Sequence, residues 1–132
     1  MTTSNTNTTD MQRFLSRMRE AFMNALPETI GPEGTEIMEV ITRDFEIPAS
    51  WGLHAVEPSQ DGVTFHVNGF LFQGKVSVRR NSDGKFDITL WRRDTAEVTP
   101  GTERERLTET LDLLVERDEH YRERVFETYI AR

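Results

Sequence analysis

Two turn signals constrain this chain more than any other feature. Asn68-Gly69 and Asn81-Ser82-Asp83-Gly84 punctuate a stretch in which apolar residues alternate with polar ones. Asn-Gly is the strongest short hairpin signal, because both central residues of a type I′ turn need positive φ. On that reading Val67 pairs with Phe70 and Phe65 with Phe72, and the strand continues through Val76 and Val78. The second signal reads as a type I turn with Gly84 in the left-handed position, which sets Val78 opposite Ile88 and Val76 opposite Leu90. Together the two turns bring Val63, Phe65, Val67, Phe70, Phe72, Val76, Val78, Phe86, Ile88 and Leu90 to one face. A slip of one residue at either turn would scatter them. The expectation is an antiparallel meander of three or four strands, with residues 51–56 as the first strand, ended by Pro58 and the Asp61-Gly62 turn.

A sheet with one apolar face needs a cover. Helical periodicity supplies candidates on both sides. After Asp10, read as an N-cap, Met11, Phe14, Leu15, Met18, Phe22, Ala25 and Leu26 recur at spacings of three and four, and Pro27 stops the run. Ile37, Val40, Ile41 and Phe45 follow the same spacing, with Pro32 suited to a first helical position and Pro48 ending the segment. Strand is the open alternative for residues 32–45. Thr99-Pro100 can start a last helix, with Thr102 and Glu105 as a capping box slightly later; its stripe runs from Leu107 to Ile130. A helix of about 30 residues would be about 45 Å long, against a radius of gyration of about 14 Å for a globule of this size. It therefore either breaks near Asp118 or projects and packs on another chain. The fold expected is α+β: the meander packed on one face by the N-terminal and C-terminal helices, as a single domain over residues 10–132. Residues 1–9, polar and uncharged, read as a disordered tail.

The 132 residues contain no cysteine, which excludes disulfides, cysteine-ligated metal and thiol chemistry. No apolar run spans a membrane, and the first ten residues carry neither basic residues nor an apolar core of a secretory signal, so a cytoplasmic protein is expected. The net charge of −7 is uneven: residues 1–50 carry −4, residues 51–93 carry +2 and residues 94–132 carry −5. An acidic total argues against duplex DNA binding but leaves a local basic patch open.

No phosphate-binding glycine loop, nucleophile elbow or EF-hand loop is present. His54, His66 and His120 share no ligand spacing, and the many carboxylates of the last segment alternate with arginines as on a solvated helix face. No metal, cofactor or catalytic residue is expected. The candidate binding residues lie on the outer sheet face: His66, Leu71, Lys75, Arg79, Trp91 and Arg93, with Arg79 opposite Asp87 as a cross-strand ion pair. One tryptophan and one histidine are thin for a base-stacking platform. The function expected is thus a non-enzymatic binding or adaptor protein acting through protein–protein contacts. Tyr121, Val125, Phe126, Tyr129 and Ile130 would form a homodimer face, being apolar over too wide an arc for one small sheet. A single-stranded nucleic-acid module is the first alternative and a small enzyme the second.

Deleting residues 1–9 should leave the thermal midpoint within about 2 °C, because no apolar anchor is lost. A fall of about 8 °C in a calorimetric scan would show that the segment docks.

Overall fold

The computed structural model describes residues 3–117, with side chains from residue 10 onward. Its elements are α1 (Thr3–Asn24), α2 (Gly31–Ile41), α3 (Glu46–Ser50), strands β1 (His54–Ser59), β2 (Gly62–Asn68), β3 (Gln73–Arg80), β4 (Phe86–Trp91) and β5 (Ala96–Thr102), and α4 (Leu107–Val115). The strands form one antiparallel sheet in the order β1-β2-β3-β4-β5. The class is α+β, with five strands rather than three or four.

The β3–β4 register is the expected one: Val78 pairs with Ile88, Val76 with Leu90, Arg79 with Asp87 and Lys75 with Trp91. The Asn81 Oδ1 accepts the N–H groups of Asp83 and Lys85, Gly84 N–H bonds Asn81 O at 3.1 Å, and Gly84 has φ +77°. The asparagine thus organises the turn through its own side chain.

The β2–β3 connection differs from the Asn-Gly expectation. Asn68 pairs with Gln73 and Phe65 with Val76, so the loop is residues 69–72 and Phe72 is not the partner of Phe65. Neither Asn68 nor Gly69 has positive φ, which excludes the type I′ turn. The cause is tertiary. Leu71 and Phe72 donate their N–H groups to the Val115 carbonyl at 2.9 and 3.2 Å, and Phe70 N–H bonds the Glu116 carboxylate at 2.9 Å. The loop caps the C-terminal end of α4, whose last carbonyls lack helical partners. A Cβ on Gly69 would lie 2.1 Å from the Val115 oxygen, so only glycine permits this approach. The new register shifts Phe65's partner by four residues, an even number. The same residues therefore still face inward. Val63, Phe65, Val67, Val76, Val78, Phe86, Ile88 and Leu90 are all buried, and Phe72 is buried from the loop.

The cover on that face is α2 and α4, not α1 and α4. Ile37, Met38, Val40 and Ile41 of α2 and Leu107, Leu111 and Val115 of α4 are buried in one core with the strands and Trp51. Residues 32–41 are thus helical, with Pro32 in the first turn, while Pro48 falls inside α3 rather than ending the segment. Among the described side chains, helix α1 reaches the core through Phe22 and Met23, and Leu26 just after it does the same. Its anchorage is completed by Phe22 against Phe45 at 5.7 Å and by Arg19 Nε donating to Thr42 Oγ1 at 3.1 Å. The helix already has helical backbone at Thr3, so Asp10 is an interior residue and not the cap. Extending a formed helix costs far less than starting one, which lets it run into a polar segment.

Thr99 and Pro100 belong to β5, not to a helix start. Thr99 pairs with Ile88, and β4 gains a hydrogen-bonded neighbour that a helix at this point would deny it. Proline is tolerated there because β5 is an edge strand. Helix α4 begins at Leu107 after a 3-10 turn at Arg104–Arg106, with no side-chain cap from Thr102. It closes at Val115, before Asp118. Residues 118–132, including Tyr121, Val125, Phe126, Tyr129 and Ile130, lie outside the described residues, and with them the expected dimer face.

Two polar contacts fix α4. The Trp51 indole N–H donates to Asp112 Oδ1 at 2.8 Å, and Arg117 pairs with the same carboxylate at 3.4 Å. Glu116 is buried, and loss of hydration raises its pKa above the ordinary carboxyl value of 4.5; the Asp112 charge adds to this, while the Phe70 N–H and Arg117 oppose it. A carboxyl pKa raised in the folded state contributes stability that is complete below the unfolded pKa and is lost as pH rises through the folded value. Glu116→Gln keeps an acceptor for Phe70 and removes the charge. In urea unfolding the variant should match the wild type below the ordinary carboxyl range, and exceed it by a margin that grows as pH rises through the folded pKa of Glu116 and then levels off. A stability difference that is flat in pH would contradict this assignment.

Candidate functional site

The side chains that β-alternation turns away from the core make the outer sheet face. One cross-strand row runs His54, His66, Lys75, Trp91 and Ala96; the next runs Glu57, Thr64, Ser77, Thr89 and Val98. No helix among the described residues packs on this face: the buried apolar residues that the strands give to the core are their inward ones.

Trp91 is held by a hydrogen bond and left partly open. Its indole N–H donates to Ser77 Oγ at 2.8 Å, and Ser77 Oγ is hydrogen-bonded to Thr64 Oγ1 at 2.8 Å. The residue is 44% exposed, and Lys75 Nζ lies over its ring, 5.3 Å from the centroid. Val98, 57% exposed, is the other large apolar residue on the face. His54 and His66 stand side by side, ring centroids 5.7 Å apart, and His54 Nδ1 is 2.7 Å from Gly52 O.

The expected Arg79–Asp87 ion pair does not form, although the residues face each other. Asp87 Oδ1 is taken by the Asn81 amide at 3.1 Å and the Gly101 N–H at 2.9 Å. Among the described residues neither Lys75 nor Arg79 has a carboxylate within ion-pair distance. Leu71 and Arg93 are not on this face. Leu71 lies in the loop that caps α4, and Arg93 in the β4–β5 connection. The structure thus assembles His66, Lys75, Arg79 and Trp91 from the expected set and adds His54 and Val98. Val98 carries no strand signal in the sequence, because Thr99-Pro100 directly after it favours a helix start. His54 is hidden there by a bulge between His54 and Glu57, where Ala55 has φ +53°. Without that extra residue, strict alternation would turn His54 inward.

A second surface lies on α1. Met11, Phe14 and Met18 are 58%, 56% and 45% exposed and follow one another at i, i+3 and i+7. The sheet edges offer less. β1 carries the bulge and Pro58, and β5 carries a bulge against β4 together with Pro100. Both devices disfavour strand addition.

A cleft of about 630 Å³ is lined by Glu33, Asp61, Arg79, Arg80, Asn81 and Ser82 at the turn end of the sheet. It is polar and of mixed charge, unlike the mainly apolar pockets that bury small substrates. Glu116, whose carboxyl burial pushes up, lies under the 69–72 loop and not in this cleft. No group of three or more His, Asp or Glu placed to hold a metal ion occurs among the described residues. No helix among them is long and apolar enough to cross a membrane. Comparison of the chain with protein-family models, with curated proteins and with solved structures finds no match.

Proposed function

We propose that this chain is a non-enzymatic binding protein that works through protein–protein contacts as a homodimer, and that Met11, Phe14 and Met18 of α1 are its contact face. The observation that carries this reading is an apolar stripe that no described residue covers, on a helix whose contacts with the core come near its C-terminal end. Isolated exposed apolar residues are ordinary; three in helical register on one stripe form a patch. The span from Met11 to Met18 is about 10 Å of helix. Methionine adapts its shape to a partner, and phenylalanine supplies contact area at low entropic cost.

A second copy is the occupant that fits the order of the residues. The two methionines bracket the stripe, so two antiparallel helices related by a two-fold axis set Met11 of one copy against Met18 of the other. Phe14 then meets the part-buried Leu15. The flank bearing Asp10 and Arg17 meets itself reversed, which brings opposite charges together.

Light scattering at micromolar concentration tests the reading. The wild type should have about twice the chain mass of 15.3 kDa, and Phe14→Ser/Met18→Ser should return it to the single-chain mass with its thermal midpoint kept. A wild-type mass of one chain, or a dimer indifferent to the double substitution, would contradict it.

A further inference from the structure

Independently of α1, we propose that the outer sheet face binds single-stranded nucleic acid, with bases stacking on Trp91 and on the His54–His66 pair and phosphates meeting Lys75 and Arg79. Four observations converge on that ligand. The first is the fixed ring. Trp91 is held through its N–H by Ser77, itself bonded to Thr64, so stacking orders little that is not already ordered. Its exposed area is available to any base, since every base has a π-face.

The second is the spacing of the rings. His66 on β2 and Trp91 on β4 belong to one cross-strand row with Lys75 between them. Two strand spacings separate the rings by about 10 Å. His54 beside His66 widens that platform, so the row holds an aromatic site at each end and a cation in the middle.

The third is charge. Lys75 and Arg79 lie on the same side of the central strand, about 13 Å apart, and neither has a carboxylate of the described chain within ion-pair distance. The Lys75 ammonium already sits 5.3 Å from the Trp91 ring centroid, where it can meet the phosphate of a stacked nucleotide. The face also bears Glu57 and Asp87, so Lys75 and Arg79 bring it to neutrality, while the remainder of the chain carries the full −7. The outer face therefore offers a polyanion its least repulsive approach.

The fourth is shape. The face is an open surface about 20 Å across five strands, a track for a strand and not a pocket for one small molecule. A duplex hides its base faces and would also meet the acidic remainder of the chain. Single strands are the form whose bases can splay onto a sheet.

Fluorescence anisotropy of a labelled oligothymidine of about 12 nucleotides, at about 50 mM salt, tests the proposal on the full chain. A duplex of equal length runs in parallel. The wild type should bind the single strand in preference to the duplex and lose tryptophan emission on binding. Trp91→Ala should weaken binding about tenfold, and Trp91→Phe, which keeps a ring, should recover part of the loss. Lys75→Ala should weaken it and flatten the dependence of log affinity on log salt by about 0.7. Thermal midpoints equal to wild type certify that the variants fold. Absence of single-strand binding by the wild type, equal binding of duplex, or unaltered binding by folded Trp91→Ala would each overturn the proposal.

Discussion

The turn at Asn81–Gly84 decides which way the side chains of β3 and β4 point, and most of the molecule follows from that. In a strand the side-chain period is two, so a register fixed at one turn commits every residue to one face or the other. Val76, Val78, Ile88 and Leu90 go inward and are buried; Lys75, Ser77, Arg79, Thr89 and Trp91 go outward together. Core and candidate site are therefore one constraint seen from two sides. The turn itself is secured locally, by an asparagine side chain that accepts two backbone N–H groups.

The inner face is closed by two helices whose placement depends on non-local contacts. Gly34 lets α2 approach the sheet: a Cβ there would stand 3.1 Å from the Gly62 oxygen and 2.6 Å from Ile30 Cγ1. At the other end, α4 is held by the Trp51–Asp112 hydrogen bond and by the 69–72 loop, which supplies the N–H donors its last turn needs. Burial of each large apolar side chain here contributes about 1.5–3 kcal/mol. The polar contacts act mainly by specifying position, since an intramolecular hydrogen bond nets about 1 kcal/mol.

How much of this was legible in the sequence depends on whether the deciding contact was local. The β3–β4 register was legible because its turn is organised by its own residues. The inward set survived a wrong loop at 69–72 because the register changed by an even number. What could not be read was set by distant partners: Asn68-Gly69 gives up its favoured turn to cap α4, and Thr99-Pro100 completes a ladder instead of starting a helix. At the candidate site, Lys75, Arg79, His66 and Trp91 were legible from alternation. His54 was not, because a single bulge reverses its side. The fate of the Asp87 carboxylate was also hidden, since Gly101 reaches it from β5.

An open outer face is the premise that the account of the sheet shares with the function read from it. The two tryptophans report on it without a ligand, Trp51 being sealed in the core and Trp91 lying on the open face. Acrylamide quenching of tryptophan emission in the full chain is the direct measurement. The account predicts one quenchable and one protected tryptophan, the quenchable class vanishing in Trp91→Phe. Two protected tryptophans would mean that the outer face is covered in solution, and would contradict it.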